Sequence, residues 1–405
     1  MTPQKTYSDA TSRIAALFLI TPVFMVMGCA GPTVSSTNHR TIDSQVSTAS
    51  DRQNGVNTAQ TASPHSLNST EPLPQLPFLD MAQNAEAEGN LAAAARWYTK
   101  AAQAQNIEAQ LALANFYFSG KGIRQNYQEA LKWYKHAAAQ GSTIAQLQIG
   151  DIYLNGIGVK QQPAQAAEYF QPAAAQGSSY AKTKLGLLYF RGLGVTQDIE
   201  KGIELLSEAA LVGETEAAYQ LGEIYRTGTN MSVDNEKAWR WYRIAAERGD
   251  PKAEYAVGTL FFNGAPGLAQ NQSEAVKWYR RAAEKGMADA QNSLGVAYAE
   301  GIGTPIDLAE AVRWYQAATA QGHATAQANL ATMYRYGLGV QQDLVSAYKW
   351  YAIAKEQLSP NDMGMKIASK TSMEAIASKM IPSQIQEANE QVARWLDKHG
   401  HTPAK

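Results

Sequence analysis

The residue types able to do chemistry are few in this chain and poorly placed for it. Cys29 is the one cysteine in 405 residues, so it can neither close an intramolecular disulfide nor hold a metal alone. Histidines stand at 39, 65, 136, 323, 399 and 401, without the His-Glu-x-x-His spacing that sets two imidazoles on one helical face for zinc. No Ser-x-x-Lys, His/Asp or clustered-carboxylate constellation stands out, and the acids are spread as helix caps and surface charge. The expectation is a non-catalytic protein with no metal and no cofactor. Lys plus Arg number 35 against 36 Asp plus Glu. That balance gives no whole-molecule field toward nucleic acid or an acidic membrane, though local patches stay open.

Cys29 gains meaning from the segment before it. Lys5 and Arg13 precede an apolar run from Ile14 to Met27 that contains Pro22. The run is too short to span a membrane comfortably and fits the apolar region of an export signal. It ends Val26-Met27-Gly28-Cys29, which resembles the bacterial lipobox. That resemblance implies acylation of Cys29 with palmitate-like chains and removal of residues 1–28 as a signal peptide. Under the same resemblance Ala30 after the cysteine implies sorting to the outer membrane; a periplasm-facing orientation is expected ahead of a cell-surface one. Residues 29–80 are rich in Ser, Thr, Asn, Gln and Pro. A stretch so poor in large apolar groups cannot offset the entropy of ordering itself. It is expected to be a disordered tether with an end-to-end distance of about 35–45 Å.

Beyond the tether a period takes over. Trp-Tyr pairs recur at 97, 133, 241, 278, 314 and 350, with Tyr169-Phe170 and Leu205-Leu206 filling the missing beats. The step is 36 residues, once 37, which identifies a repeat array. In each unit Ala, an aliphatic residue and an aromatic follow at spacings of four, as in Ala145, Ile149 and Tyr153. That spacing lines one face of a helix, A. Glycine beside the aliphatic, at 150, 186, 222, 258 and 295, suggests a place where a Cβ would collide with a neighbouring helix. Helix A should end at glycines such as Gly120, Gly156, Gly192 and Gly337. A second helix, B, should begin at Asn126, Asp198, Asp234, Asn271, Asp307 and Asp343 and stop at Gly141, Gly177, Gly213, Gly249, Gly286 and Gly322.

The pattern Ala-x3-Leu-Gly-x2-Tyr-x2-Gly-x-Gly, followed by Asp-x3-Ala-x2-Trp-Tyr-x2-Ala-Ala-x2-Gly, resembles the Sel1-like repeat, a relative of the tetratricopeptide repeat. The resemblance covers about two thirds of the chain. It implies an all-α fold, a right-handed α/α solenoid of helix-turn-helix units. The expected organisation is a partial capping repeat at 81–105, seven repeats at 106–358, and capping helices and tail at 359–405. Strict periodicity assigns the Trp-Tyr pairs to the core. Pro172 should interrupt helix B of the second unit and change the solenoid's curvature around 165–210. The loops at Thr229-Asn230-Met231 and Ala265-Pro266-Gly267-Leu268 depart from the pattern.

Between the core positions of helix A runs a second stripe that varies from unit to unit. The resemblance places A helices on the concave side, which makes this stripe the expected groove for a protein or peptide. The candidates are Tyr180, Lys184, Leu187 and Arg191 in the third unit, Glu216, Gln220 and Glu223 in the fourth, and Asn329 and Tyr336 in the last. Lys184 and Arg191 beside Glu216 and Glu223 would adjoin basic and acidic stretches. The functional expectation is a lipid-anchored envelope scaffold for an unidentified envelope or host protein, contacting neither nucleic acid nor a small-molecule cofactor. Its alternatives are a surface-exposed host-interaction or virulence factor and, more remotely, a cell-wall-active hydrolase. Cysteine-rich relatives have been linked to β-lactam binding, but the paired cysteines of those relatives are missing here.

Overall fold

A computed structural model describes residues 77–265, 267–359 and 362–400. Cys29, the signal segment and nearly all of the tether lie outside them. Eighteen helices follow one another in the described residues. The opening pair is α1 (Phe78–Ala87) and α2 (Leu91–Gln103). Units one to three are α3 (Ile107–Ser119) with α4 (Tyr127–Ala139), α5 (Thr143–Asn155) with α6 (Pro163–Ala175), and α7 (Ser179–Arg191) with α8 (Ile199–Leu211). Units four and five are α9 (Thr215–Thr227) with α10 (Asn235–Glu247) and α11 (Pro251–Asn263) with α12 (Gln272–Glu284). Units six and seven are α13 (Ala288–Glu300) with α14 (Leu308–Ala320) and α15 (Ala324–Tyr336) with α16 (Leu344–Gln357). Two further helices, α17 (Met363–Ala377) and α18 (Pro382–Lys398), both pack on α16. Each helix of the array packs on its neighbours in sequence, so the fold is an all-α solenoid of hairpins.

Local chemistry sets the helix ends. The side chains of Asn126, Asp198, Asp234, Asn271, Asp307 and Asp343 each accept a backbone N–H of the first turn of a B helix. Removing such a cap costs about 1 kcal/mol. A helices end on left-handed glycines, with φ of 73° at Gly120 and 68° at Gly337. The unit-five loop is different. Gly264 combines φ 68° with ψ 164°, and Ala265 and Leu268 exchange backbone hydrogen bonds of 2.9 and 2.8 Å. The extra residue is absorbed in that closed turn.

The core is a row of aliphatics under a row of rings. Leu113, Ile149, Leu221, Leu294 and Leu330 are fully buried, each contributing about 1.5–3 kcal/mol on burial. The Trp-Tyr pairs divide. Tyr98, Tyr134, Tyr242, Tyr279, Tyr315 and Tyr351 are buried, whereas their tryptophan neighbours are half-buried at the surface. Cations lie over several of those indoles, Arg281 over Trp278 at 4.3 Å and Arg313 over Trp314 at 4.6 Å among them. The helical glycines face the buried rings: a Cβ on Gly295 would stand 2.6 Å from Cε1 of Tyr315.

Pro172 does not break its helix. α6 runs on to Ala175, and the Pro172 carbonyl still accepts the Gln176 N–H at 3.0 Å. The proline is exposed and lies in the last third of the helix, where removing one donor leaves the final turn intact. The distinctive feature of this stretch is a close helix approach. A Cβ on Gly202 would lie 2.8 Å from the Gly186 carbonyl oxygen, and one on Gly186 2.9 Å from that of Gly202. With Leu206 in the tyrosine's place, α7 and α8 meet backbone to backbone.

A buried polar ladder joins the two helices of a unit. Gln110, Gln146, Gln291 and Gln327 are buried in A helices and bond the side chains of Gln140, Gln176, Gln321 and Gln357, each 30 residues on. Gln110 and Gln291 also donate to the carbonyls of Ala102 and Ala283 in the preceding B helix. Unit four has Ala218 at this place, and Arg248 reaches the equivalent Ala210 carbonyl directly at 2.7 Å. Unit five has Glu254, 0% exposed, held by Lys285 at 2.8 Å and Arg281 at 2.9 Å. Arg281 donates in addition to the Ala246 carbonyl.

Candidate functional site

The A-helix stripe is largely knitted together by its own hydrogen bonds. Tyr180, half-buried on α7, donates its phenol to Asp151 on α5, 3.0 Å from each carboxylate oxygen. Lys184 lies over the Tyr180 ring at 4.9 Å. Burial raises the Asp151 carboxyl above its ordinary range, against the lowering effects of the Tyr180 hydrogen bond and the Lys184 charge. Burial and Asp151 together push the Tyr180 phenol up, so it stays a neutral donor. On α9, Gln220 donates to Glu216 at 2.6 Å. Glu223 pairs with Arg226 at 2.6 Å and accepts the phenol of Tyr242. Asn329 donates to Asn292 across two A helices at 3.1 Å.

The expected adjoining basic and acidic stretches are therefore partly cancelled within the protein, Lys184 by Asp151 and Glu223 by Arg226. Leu187 is half-buried against the core. Arg191 is exposed at the end of α7, and Tyr336, 39% exposed, is covered on one face by Arg335 at 4.9 Å. The structure thus brings Tyr180 and Lys184 together, and Glu216 with Gln220. Glu223 is drawn inward, while Arg191 and Tyr336 remain open to solvent. Ile144, 60% exposed at the start of α5 in the same register as Tyr180 and Glu216, is an open apolar member.

A serine–lysine spacing of three occurs twice in the sequence, at Ser179–Lys182 and Ser346–Lys349, and the first lies on the stripe's own helix. Ser179-Tyr180-Ala181-Lys182 is a Ser-x-x-Lys run, the arrangement in which an amine can activate a hydroxyl. Here the Ser179 hydroxyl donates to Glu214 at 3.1 Å and the Lys182 ammonium pairs with Glu208 at 2.7 Å. The first contact reaches the start of unit four and the second joins α7 to α8 within unit three, so both groups are engaged and the run carries no nucleophile assignment. Among the described residues, no three His, Cys, Asp or Glu converge on a metal-sized site, and no helix is long and apolar enough to cross a membrane.

Repeated hairpins, the glycine-under-ring contact and the capped loops describe one unit used again and again. Eight segments match the Sel1 repeat: 85–106, 107–142, 143–178, 179–213, 215–250, 251–287, 288–323 and 324–357. The chain belongs to the Sel1 repeat family. A Sel1 repeat protein from Oxalobacter formigenes is 29% identical, with 75% of this chain and 87% of that one covered at a TM-score of 0.65. A protective antigen of uropathogenic Escherichia coli strains with the SLR fold is also 29% identical, covering 79% and 83% at a TM-score of 0.36. No curated protein matched the sequence. Sel1 repeat proteins are generally non-catalytic scaffolds for protein interaction.

Proposed function

We propose that this Sel1 repeat protein is a lipid-anchored adaptor of the bacterial envelope that holds a protein or peptide along its A-helix stripe. The observation that carries the reading is the contrast between two stripes on the same helices. The core stripe repeats with hardly a change, whereas the intervening one differs in every unit, from Ile144 to Tyr180 to Glu216 and from Asn155 to Arg191 to Thr227. Packing alone calls for no such variation, and a non-repeating ligand does. Arg191, Tyr336 and Ile144 are among the members with side chains open to a partner, while the internal bonds of Tyr180, Glu216, Gln220, Glu223 and Asn329 hold the surface in shape before binding. The anchor would be Cys29, acylated and retained in the outer membrane, with the repeats on the periplasmic side.

Photo-crosslinking probes at Arg191 and Tyr336 test the groove in cells. A discrete captured protein other than a second copy of the chain, lost when the probes move to the exposed B-helix positions Lys132 and Arg313, is the expected result. Equal capture from both faces would sink it. For the anchor, palmitate labelling should disappear in Cys29→Ser, and the repeats should resist protease on intact cells.

A further inference from the structure

The outward face of the B helices carries a charge pattern that the stripe on the A helices does not explain. One register of this face holds Lys132 on α4, Glu168 on α6, Glu204 on α8, Arg240 on α10, Lys277 on α12 and Arg313 on α14, all exposed. From α6 onward the sign is negative twice and then positive three times, with the change falling between α8 and α10. The cations have surface partners one turn earlier on their own helices, Glu236 for Arg240 at 2.5 Å and Glu274 for Lys277 at 2.9 Å. Exposed pairs of that kind hold weakly and are readily shared with a new carboxylate. Glu168 and Glu204 have no ion pair among the described residues. The outward stripe of α8 ends on two aliphatic residues, Leu211 and Val212, 69% and 74% exposed. They stand at the same boundary where the charge changes sign.

We propose that this face pairs with the same face of a second copy of the chain, the order of units reversed. A twofold axis parallel to the helices and lying between α8 and α10 sets Glu204 opposite the second copy's Arg240 and Glu168 opposite its Lys277. Symmetry makes every such pair occur twice, as a self-complementary contact requires. Leu211 and Val212 flank the axis at the carboxyl end of α8, where the aliphatic stems of the second copy's Glu247 and Arg248 would cover them. Lys132 would meet Arg313 at the outer edge. Like charges there limit the contact to α6, α8, α10 and α12 and fix its register. The A-helix face stays free on both copies, so the dimer would present two grooves.

Sedimentation velocity on the full chain, carrying Cys29→Ser so that no acyl group drives association, tests the proposal. A dimer is expected at about 50 mM salt, with a dissociation constant at least about tenfold higher at about 500 mM because the pairs lie at the surface. E168K/E204K and R240E/K277E should each be monomeric with unchanged helical circular dichroism. Mixed in equal amounts they should recover a dimer, since each then meets opposite charge on both halves of the contact. A monomer at every salt concentration overturns the proposal and leaves the face to an acidic partner. So does a dimer indifferent to both variants, or a mixture that stays monomeric. Were either charge-reversed chain to misfold, E168Q/E204Q, with the same readout, takes its place.

Discussion

A Cβ on Gly258 would stand 2.7 Å from both Cδ1 and Cε1 of Tyr279, a distance no real side chain tolerates. A helical glycine ordinarily costs about 1 kcal/mol relative to alanine. Here that cost is accepted because the ring needs the space. Gly258→Ala should therefore destabilise the repeats by about 1–3 kcal/mol, the usual penalty for overpacking a core. Gly364, on α17 with no atom near its missing Cβ, supplies the contrast. Gly364→Ala should stabilise by about 0.4–1 kcal/mol. Urea midpoints of the two variants shifting in the same direction would refute the account.

Gln105 occupies the turn position that later units fill with Gly141, Gly177 or Gly249, and it holds φ at 63°. A non-glycine residue there is strained by about 1 kcal/mol. Gln105→Gly should raise the stability of the amino-terminal hairpins by roughly that amount. Hydrogen exchange in α2 and α3 reads the effect locally, and slower exchange is the expected outcome.

Glu254 is enclosed, while Lys285 and Arg281 keep 40% and 45% of their side-chain exposure. Its second carboxylate oxygen has no hydrogen-bond partner among the described residues. Removing both cations, as in R281A/K285A, strands a buried charge and should cost about 3–5 kcal/mol. Glu254→Gln leaves two cations that can turn to water, and should cost less. Adding Lys285→Gln to Glu254→Gln recreates the Gln–Gln pair of the neighbouring units and should recover most of the loss. Chemical denaturation of the four chains decides the order.

Asp151 makes stability depend on pH in a direction unusual for a carboxylate. Its folded pKa is raised by burial, so the unfolded chain releases this proton first. Stability falls as pH rises from the unfolded value, near 4, through the folded one, and is level above it. Asp151→Asn keeps an acceptor for Tyr180 and has no proton to lose. Its melting temperature should exceed that of the native chain at pH 7 and match it at pH 3. A gain of equal size at both pH values would point to some other cause.

The helix boundaries were legible because caps and glycines act locally and recur every 36 residues. The tryptophans were misjudged because period alone cannot separate a buried ring from the half-buried one beside it. Pro172 does not act as a breaker because its place, exposed in the last third of α6, matters more than its identity. The stripe was harder, since its partners come from other helices. Asn115 meets Tyr134, Glu223 meets Tyr242 and Thr332 meets Tyr351, always 19 residues on. Read in register, that offset would have revealed that the third stripe position answers to the tyrosine of helix B. Leu187 with Leu206, both aliphatic, is the same rule with its polarity inverted. Asp151 escapes it because residue 170 is Phe, and its donor, Tyr180, comes from the next unit. The Gln110–Gln140 ladder recurs in four units, but a polar side chain carries no sequence signal that it lies in the core.

That ladder has an evolutionary corollary. Where a donor reaches back, from Gln110, Arg248, Arg281 or Gln291, the preceding unit contributes only a main-chain carbonyl, at Ala102, Ala210, Ala246 or Ala283. Every sequence supplies a carbonyl, so this buried part of the joint asks nothing of the neighbour's side chains, unlike outer contacts such as Tyr180 with Asp151. A unit can then be duplicated, excised or exchanged without orphaning a buried donor. Reach would change by whole units while each joint stayed sound, which makes the length of such an array an easily inherited variable.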